Sequence, residues 1–439
     1  MELKNKFLEE LYYKFKRNEI LNKGTSAFIL KIIGSLLGYI FLLLVTRTAG
    51  ADTWGVFALC LALLNITSIF SRMGIDVATL KFIASFKYEL AKTKAVYLKG
   101  LKVILPLSVM FSLLLFLLSD FISINIFQKS HLSSFIQLIA LAVLPFTLIY
   151  FNAQSFRGLK MITHFAFFQH VSKFLFSVVF LFAISYLIGF PVQEGVFYAF
   201  IAALYCAMFI SFLLIKKQMI AKKEKSPIST HTLLKTAFPM MLSTSILLIM
   251  SWADTLIIGV YEDESEIGVY NVAIKLAMIS GIVLGALNSI VAPKISEAFN
   301  NGKKDEFALI VKQSTKIIFY SSFPILIFLI AFPEFLLSLF GSEFLIGKSA
   351  LYVLIIGQIV NAFSGSVGVI MQMTGKEKLF QNILILALLT NIVLNFLLVP
   401  IYGIIGAAIA SSVSLVLWNL ISVFYIYKHH HVLTFFNFK

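Results

Sequence analysis

The run AFILKIIGSLLGYIFLLLVTRT at 27–48, followed by WGVFALCLALLNITSIFSR at 54–72, decides the fold. Each matches the ~20 apolar residues that carry a helix across a hydrocarbon core of about 30 Å. Neither alternates apolar with polar positions, so each reads as a helix apolar on every face, not a barrel strand. Runs of the same kind recur at 101–119, 134–152, 166–189, 195–215, 238–260, 268–292, 313–332, 347–371, 380–399 and 404–427. The reading is an all-α integral membrane protein of about twelve transmembrane helices. Composition agrees: 59% of the 439 residues are hydrophobic and 13% charged, against roughly 25% charged in a soluble domain. The mean hydropathy is +0.93.

Charge then sets the orientation. A net charge of +15 raises the question of nucleic acid, but its distribution answers no. Of the 36 Lys and Arg residues, only Arg47, Lys129 and Lys348 fall on one side, and Lys31, Lys173 and Lys275 lie within spans. All the others lie on the opposite side, at 72–102, 157–160, 216–235, 294–316, 376–378 and the two ends. The basic-poor loops hold carboxylates instead, Glu262, Asp263, Glu264 and Glu266 among them. Positive-inside asymmetry of this kind puts both termini in the cytosol and requires an even number of spans. The expected location is the cytoplasmic membrane, as a multi-pass protein.

The loops also exclude functions. Those around 119–133 and 333–347 are too short for the extramembrane catalytic domain of a glycosyltransferase or polymerase. No Gly-x-Ser-x-Gly elbow, His-Glu-x-x-His, phosphate-binding glycine loop or paired-cysteine metal spacing occurs. The expectation is a non-enzyme without cofactor or resident metal; the triplet His429-His430-His431 reads as a solvated tail. Cys60 and Cys206 both fall within spans, so no disulfide framework is implied. No cleavable signal peptide is evident, because the first run is long and follows a charged arm.

Five segments follow: a cytosolic arm at 1–26, a six-helix bundle at 27–215, a lysine-rich linker at 216–235, a second six-helix bundle at 236–427 and a cytosolic tail at 428–439. Two echoes support duplication of a six-helix unit. Gly55-Val56-Phe57 matches Gly268-Val269-Tyr270 and Lys81 matches Lys294, both at an offset of 213 residues. Gln154, Gly158 and Lys160 are echoed less strictly by Gln372, Gly375 and Lys376.

These motifs also resemble a known family. Leu44-Val45-Thr46-Arg47-Thr48-Ala49-Gly50 with Trp54-Gly55-Val56-Phe57 is similar to the first hairpin of the Wzx-type polysaccharide-biosynthesis flippases. Met73-Gly74-Ile75-Asp76-Val77-Ala78 with Lys81-Phe82-Ile83-Ala84 resembles their second-helix signature, and Gln154-x-x-Arg157-Gly158-Leu159 the end of their fourth helix. Asp254, Gly259, Gly268-x-Tyr270, Ala273-x-Lys275-Leu276 and Ala292-Pro293-Lys294-Ile295 resemble the seventh and eighth helices. Asn395-x-x-Leu398 with Gly403-Ile404-x-Gly406-Ala407-Ala408 completes the likeness. The resemblance implies the superfamily that also holds the MATE drug exporters and the peptidoglycan-precursor flippases. The latter carry more spans than are read here. The implied role is moving an undecaprenyl-diphosphate-linked oligosaccharide from the cytosolic to the outer leaflet by alternating access, for O-antigen-like surface polysaccharide. Its partners would be that lipid-linked substrate, membrane lipid and polysaccharide polymerase or assembly enzymes. Coupling to protons or sodium stays open, and the alternative is a MATE-like cation-coupled multidrug exporter.

An ionisable group within a span costs about 2.5–3.5 kcal/mol on insertion scales, so each needs a partner or a purpose. Candidates for a cationic cavity are Lys31, Lys173, Lys275, Arg157 and Arg72, with snorkelling or anchoring at helix ends as the bland alternative for Lys31, Arg157 and Arg72. Asp254 and Asp76 are candidates for gating or ion coupling. Asp254 and Lys275 both lie roughly 10 Å below the outer face on neighbouring helices, so an ion pair between them is expected. Asp76 and Arg72 stand at i, i+4 and are expected to pair. Trp252, Gln154, Asn391 and Asn395 could line a sugar path or serve as packing glue. The first helix carries Lys31 and no carboxylate, which favours an anionic substrate over the cationic drugs of an exporter.

Overall fold

A computed structural model describes residues 19–86, 88–187, 189–222 and 224–436. The basic arm with Lys4, Lys6, Lys14, Lys16 and Arg17 lies outside the described residues. Within them every regular element is helical, and the principal ones are α1 (Glu19–Arg72), α2 (Ile75–Ser85), α3 (Leu90–Leu117), α4 (Leu132–Gly158), α5 (Ile162–Ser185), α6 (Val192–Gln218), α7 (Thr230–Tyr261), α8 (Glu264–Asn300), α9 (Lys304–Ala331), α10 (Lys348–Ser364), α11 (Val367–Met373) and α12 (Glu377–His430). Helices satisfy their own backbone hydrogen bonds, which lipid demands. Among the described residues nine are long and apolar enough to cross a bilayer, or ten with α7, which bends by 48°. The protein is a multi-pass integral membrane protein.

Two of these helices are too long to be one span. At 1.5 Å per residue the 54 residues of α1 or of α12 would extend about 80 Å. Each is broken at a glycine that falls between two of the apolar runs, Gly50 after 27–48 and Gly403 before 404–427. Gly50 has φ 79° and Gly403 φ 53°, backbone that a side chain opposes. In α12 the chain doubles back: a Cβ on Gly406 would lie 2.4 Å from the Leu398 carbonyl oxygen, whereas residues eight apart in a straight helix are about 12 Å apart.

The chain divides into two compact units. The first comprises the described part of Met1–Leu44 with Leu64–Ile124 and Lys129–Leu242. Here α3 and α6 both pack on α4, tied by a buried polar chain. Tyr97 of α3 donates to Asn152 of α4 at 2.9 Å, and Asn152 donates to Ser211 of α6 at 2.8 Å. The linker is pinned to α3, since Lys94 donates to the Ala221 carbonyl at 2.7 Å and Lys99 to that of Ile228 at 2.6 Å.

The second unit comprises Val45–Leu63, Asn125–Gln128 and Ser243 onward. Its core is apolar, with Ile295, Val311, Ile370 and Met371 fully buried. The echoed motifs Gly55-Val56-Phe57 and Gly268-Val269-Tyr270 meet here. A Cβ on Gly55 would lie 1.8 Å from the Glu264 carbonyl oxygen, and one on Gly268 would lie 2.2 Å from that of Ala51. Two helices approach backbone to backbone at this crossing, which small residues alone allow. Beside it, Arg47 donates to the carbonyls of Leu339 and Ser338 at 2.6 and 3.0 Å, and the Ala51 amide donates to Glu343 at 2.6 Å.

The tail corrects an expectation. His429 and His431 are exposed, but the residues after them are not a solvated end: Val432, Thr434 and Phe436 are buried. The Phe436 amide donates to the Phe363 carbonyl at 2.9 Å, and its ring stacks on Phe319 at 3.9 Å between centroids. His430 lies against the rings of Phe299 and Phe307. The aromatic residues after the histidine triplet seek the same apolar surface that the helices do.

Candidate functional site

Two clusters gather the intramembrane charges, one in each unit. In the first unit, the end of α1, the middle of α4 and the middle of α5 meet at Tyr150. The Arg72 guanidinium lies 4.6 Å and the Lys173 ammonium 5.9 Å from the centroid of that ring. Lys173 also stands 5.7 Å from the Phe146 ring and 5.1 Å from that of Phe174. Aromatic faces attract cations by about 0.5–2 kcal/mol each, so three rings hold an ammonium without neutralising it. Among the described residues Lys173 has no carboxylate partner.

Arg72 does have one. It pairs with Asp76 at 3.2 Å, as the spacing leads one to expect, but the pair spans a break. Met73 and Gly74 both have positive φ between α1 and α2. A side chain at Gly74 would meet the Ala237 carbonyl at 2.2 Å, so the break lets α7 approach.

Lys31 sits on the exposed side of α1, three residues from Gly34, whose Cα packs on the His170 backbone. Arg157 is exposed at the end of α4, 5.2 Å from the Phe165 ring centroid. Gln154, one turn before it, is half-buried. The structure thus brings Arg72 and Lys173 to one ring, with Lys31 close to the same helix pair, and leaves Arg157 at the rim.

In the second unit the Asp254 carboxylate of α7 is fully enclosed by neutral donors. Tyr270 of α8 donates to Oδ2 at 2.5 Å, and Ser411 of α12 donates to the same oxygen. Asn391 and Asn395, also on α12, donate to Oδ1 at 3.0 and 2.8 Å. Both asparagines have no exposed surface, and their own amide oxygens find no hydrogen-bond partner. An amide presents either its donor or its acceptor by rotating half a turn. The cluster therefore offers a carboxylate, two amide oxygens, a hydroxyl and a phenol, the hard oxygen donors that suit an alkali cation or a proton.

The expected Asp254–Lys275 ion pair does not form. Depth was matched but direction was not. Tyr270, which faces Asp254, and Lys275 are five residues apart, so at 100° per residue they point about 140° apart on α8. Lys275 instead lies 5.9 Å from the Trp54 ring centroid, and the Trp54 indole donates to Asn271 at 3.1 Å. Trp252, two residues before Asp254, is half-buried.

The family model described as "Polysaccharide biosynthesis protein" matches residues 20–299, more than half of the chain. The chain belongs to the polysaccharide biosynthesis protein family. A second model, MatE, matches residues 239–397, the stretch that holds Asp254, Asn391 and Asn395. Among curated relatives, a Haloferax volcanii protein named "Probable low-salt glycan biosynthesis flippase Agl15" is 24% identical over 177 residues. The alignment covers 40% of this chain and 38% of the relative, so the chain spans well under half of that protein. Among solved structures, an inward-facing multidrug resistance MATE family transporter of the MOP superfamily superimposes with a TM-score of 0.76. It is 15% identical, over 92% of this chain and 98% of the other. The lipid II flippase MurJ, in an inward closed conformation, gives 0.70 at 16% identity, over 91% and 86%. At such identities the likeness establishes a shared fold, and this member of the polysaccharide biosynthesis family has the fold of those transporters.

For this family member, sequence reasoning singled out Asp254, Asn391 and Asn395 separately but missed that they form one cluster. Ser411 and the role of Tyr270 went unread. The available signal was the i, i+4 spacing of two asparagines in a run otherwise apolar. His170 also escaped notice, although it is an ionisable ring inside an apolar helix.

Proposed function

We propose that this protein is a flippase that carries a diphosphate-linked oligosaccharide lipid from the cytosolic to the outer leaflet of the cytoplasmic membrane by alternating access. The observation that carries this reading is Lys173, an ammonium held among three aromatic rings and lacking a carboxylate partner among the described residues. A cation kept uncompensated at a cost of about 2.5–3.5 kcal/mol is suited to an anionic ligand that arrives later. Arg72 beside the same ring adds a second donor, and guanidinium bonds phosphate in pairs. Tyr150, Gln154 and Trp252 are available for sugar stacking and hydrogen bonding.

The topology belongs to the same proposal. Read as two spans each, α1 and α12 raise the count from ten to twelve, with both termini cytosolic and two six-helix bundles joined by 216–235. The Asp254 cluster serves as the coupling site for sodium or a proton. The Gly55–Gly268 crossing serves as the outer seal, which parts when the head group leaves. Polymerase or assembly enzymes would receive the translocated unit at the outer leaflet.

The test is transport of a short lipid-diphosphate oligosaccharide in reconstituted vesicles, read by protection of the head group from an external glycosidase. Protection that is lost in Lys173→Ala supports the flippase. The MatE match over Asp254 favours a second reading, a cation-coupled drug exporter. Accumulation of cationic drugs without lipid movement would select that reading and end the first.

A further inference from the structure

Outside both clusters, α3 and α6 flank α4 and leave a groove of about 880 Å³ at the membrane face that carries the linker. We propose that this groove binds an anionic phospholipid, its phosphate held by Lys216 and Lys222 and an acyl chain lying along Leu98, Leu101, Phe209 and Leu213.

The walls and rim differ in the way such a molecule requires. From Lys94 to Leu101 and from Lys216 back to Phe209 are seven residues each, so the groove runs about 10 Å along the two helices. Its polar atoms are spent within the protein. Tyr97 gives its hydroxyl proton to Asn152, and Lys94 gives one of its own to the Ala221 carbonyl, holding the linker as a roof. The deep part therefore offers a ligand only carbon. Phe209, Leu213 and Ile220, which line it, are each more than half exposed.

The rim is cationic and unspent. Lys216 ends α6 and Lys222 follows on the linker, both exposed and neither hydrogen-bonded nor ion-paired among the described residues. Of the nearby carboxylates, Glu89 pairs with Lys92, and Glu224 makes no ion pair with either lysine among the described residues. An anionic head above an apolar slot of this depth matches a phospholipid. A soluble anion would leave the slot empty, and a zwitterionic lipid would forgo the lysines. Each lysine near a membrane surface attracts anionic lipid by about 1 kcal/mol.

The experiment is native mass spectrometry of the full chain in detergent with equimolar phosphatidylglycerol and phosphatidylcholine. The wild type should retain phosphatidylglycerol preferentially. Lys216→Gln with Lys222→Gln, both surface changes, should cut that preference on the order of tenfold. Leu213→Trp, which fills the slot, should expel the lipid. Lys312→Gln with Lys316→Gln, on α9 of the other unit, should leave the preference intact. Equal retention of the two lipids, an unchanged preference in the Lys216 and Lys222 variant, or an equal loss in the α9 variant would overturn the proposal. So would displacement of phosphatidylglycerol by equimolar undecaprenyl diphosphate, which would make the groove a substrate portal. Lipid retention is read without transport, so this result stands apart from the flippase assay.

Discussion

The crossing of Gly55 and Gly268 gives the sharpest prediction. In Gly55→Ala the added carbon would start 1.8 Å from the Glu264 carbonyl oxygen, against an ordinary contact of 3.4 Å or more. The obstacle is backbone on both sides, because the next atoms within reach are the Glu264 carbonyl carbon and the Gly268 amide nitrogen. No rotamer change relieves it, so the helices themselves must separate by well over an ångström. Overpacking of this kind costs about 1–3 kcal/mol. If the crossing is a seal that parts during transport, that energy penalises only the sealed form and shifts the equilibrium roughly 5- to 150-fold toward the parted one. Gly268→Ala should act alike through the Ala51 carbonyl, and the double variant should cost less than the sum, since one separation accommodates both carbons. The assay is labelling of Asn271→Cys by a membrane-impermeant maleimide from outside intact cells, with Cys60 and Cys206 replaced by alanine. Asn271 is almost wholly buried in this structure, so under the seal reading the rate should rise at least about fivefold in Gly55→Ala. An unchanged labelling rate with a lowered melting temperature would make the crossing a permanent clasp and refute the gate.

Other outcomes follow from the two clusters and the tail. Saturation at about a hundred times Kd stabilises a one-site protein by about 2.7 kcal/mol, so sodium or acid pH should raise the wild-type melting temperature; Asp254→Asn should abolish that rise, and an equal response in the variant would remove Asp254 from coupling. Lys173→Gln should lower apparent affinity for lipid diphosphate by on the order of tenfold or more, the worth of a charge-assisted bond; Lys173→Arg should recover most of it, whereas wild-type affinity in the glutamine variant would rule out contact. Phe436→Ala should destabilise the second unit by about 3 kcal/mol, as for other buried aromatic truncations, and a melting curve matching wild type would show that the tail packing is superficial.

What could be read in advance divides by range. Helices announce themselves locally, because an apolar run long enough for a bilayer has few other uses, and the breaks at Gly50 and Gly403 fall between runs already separated. The Arg72–Asp76 pair was legible because four residues of spacing set it, even though a chain break lies between them. The Asp254 cluster was not, because Tyr270, Asn391 and Ser411 approach it from 16, 137 and 157 residues away. Depth along a helix can be counted, but facing depends on accumulated angle, which is why Lys275 was assigned the wrong partner. The Gly55 and Gly268 motifs were visible as an echo, yet nothing local says that duplicated segments touch. The tail misled through its histidines, when its two phenylalanines decide where it goes.

The anchoring of Asp254 by both arms of α12 has a mechanical meaning. Asn391 and Asn395 precede Gly403 and Ser411 follows it, so a single carboxylate grips both limbs of one bent rod. Whatever alters the appetite of that carboxylate for donors, a proton arriving or an alkali ion drawing the amide oxygens round, changes how tightly the two limbs are drawn together. Under the proposed coupling role, the bend at Gly403 would be less a joint than a spring whose set a proton or an alkali ion chooses.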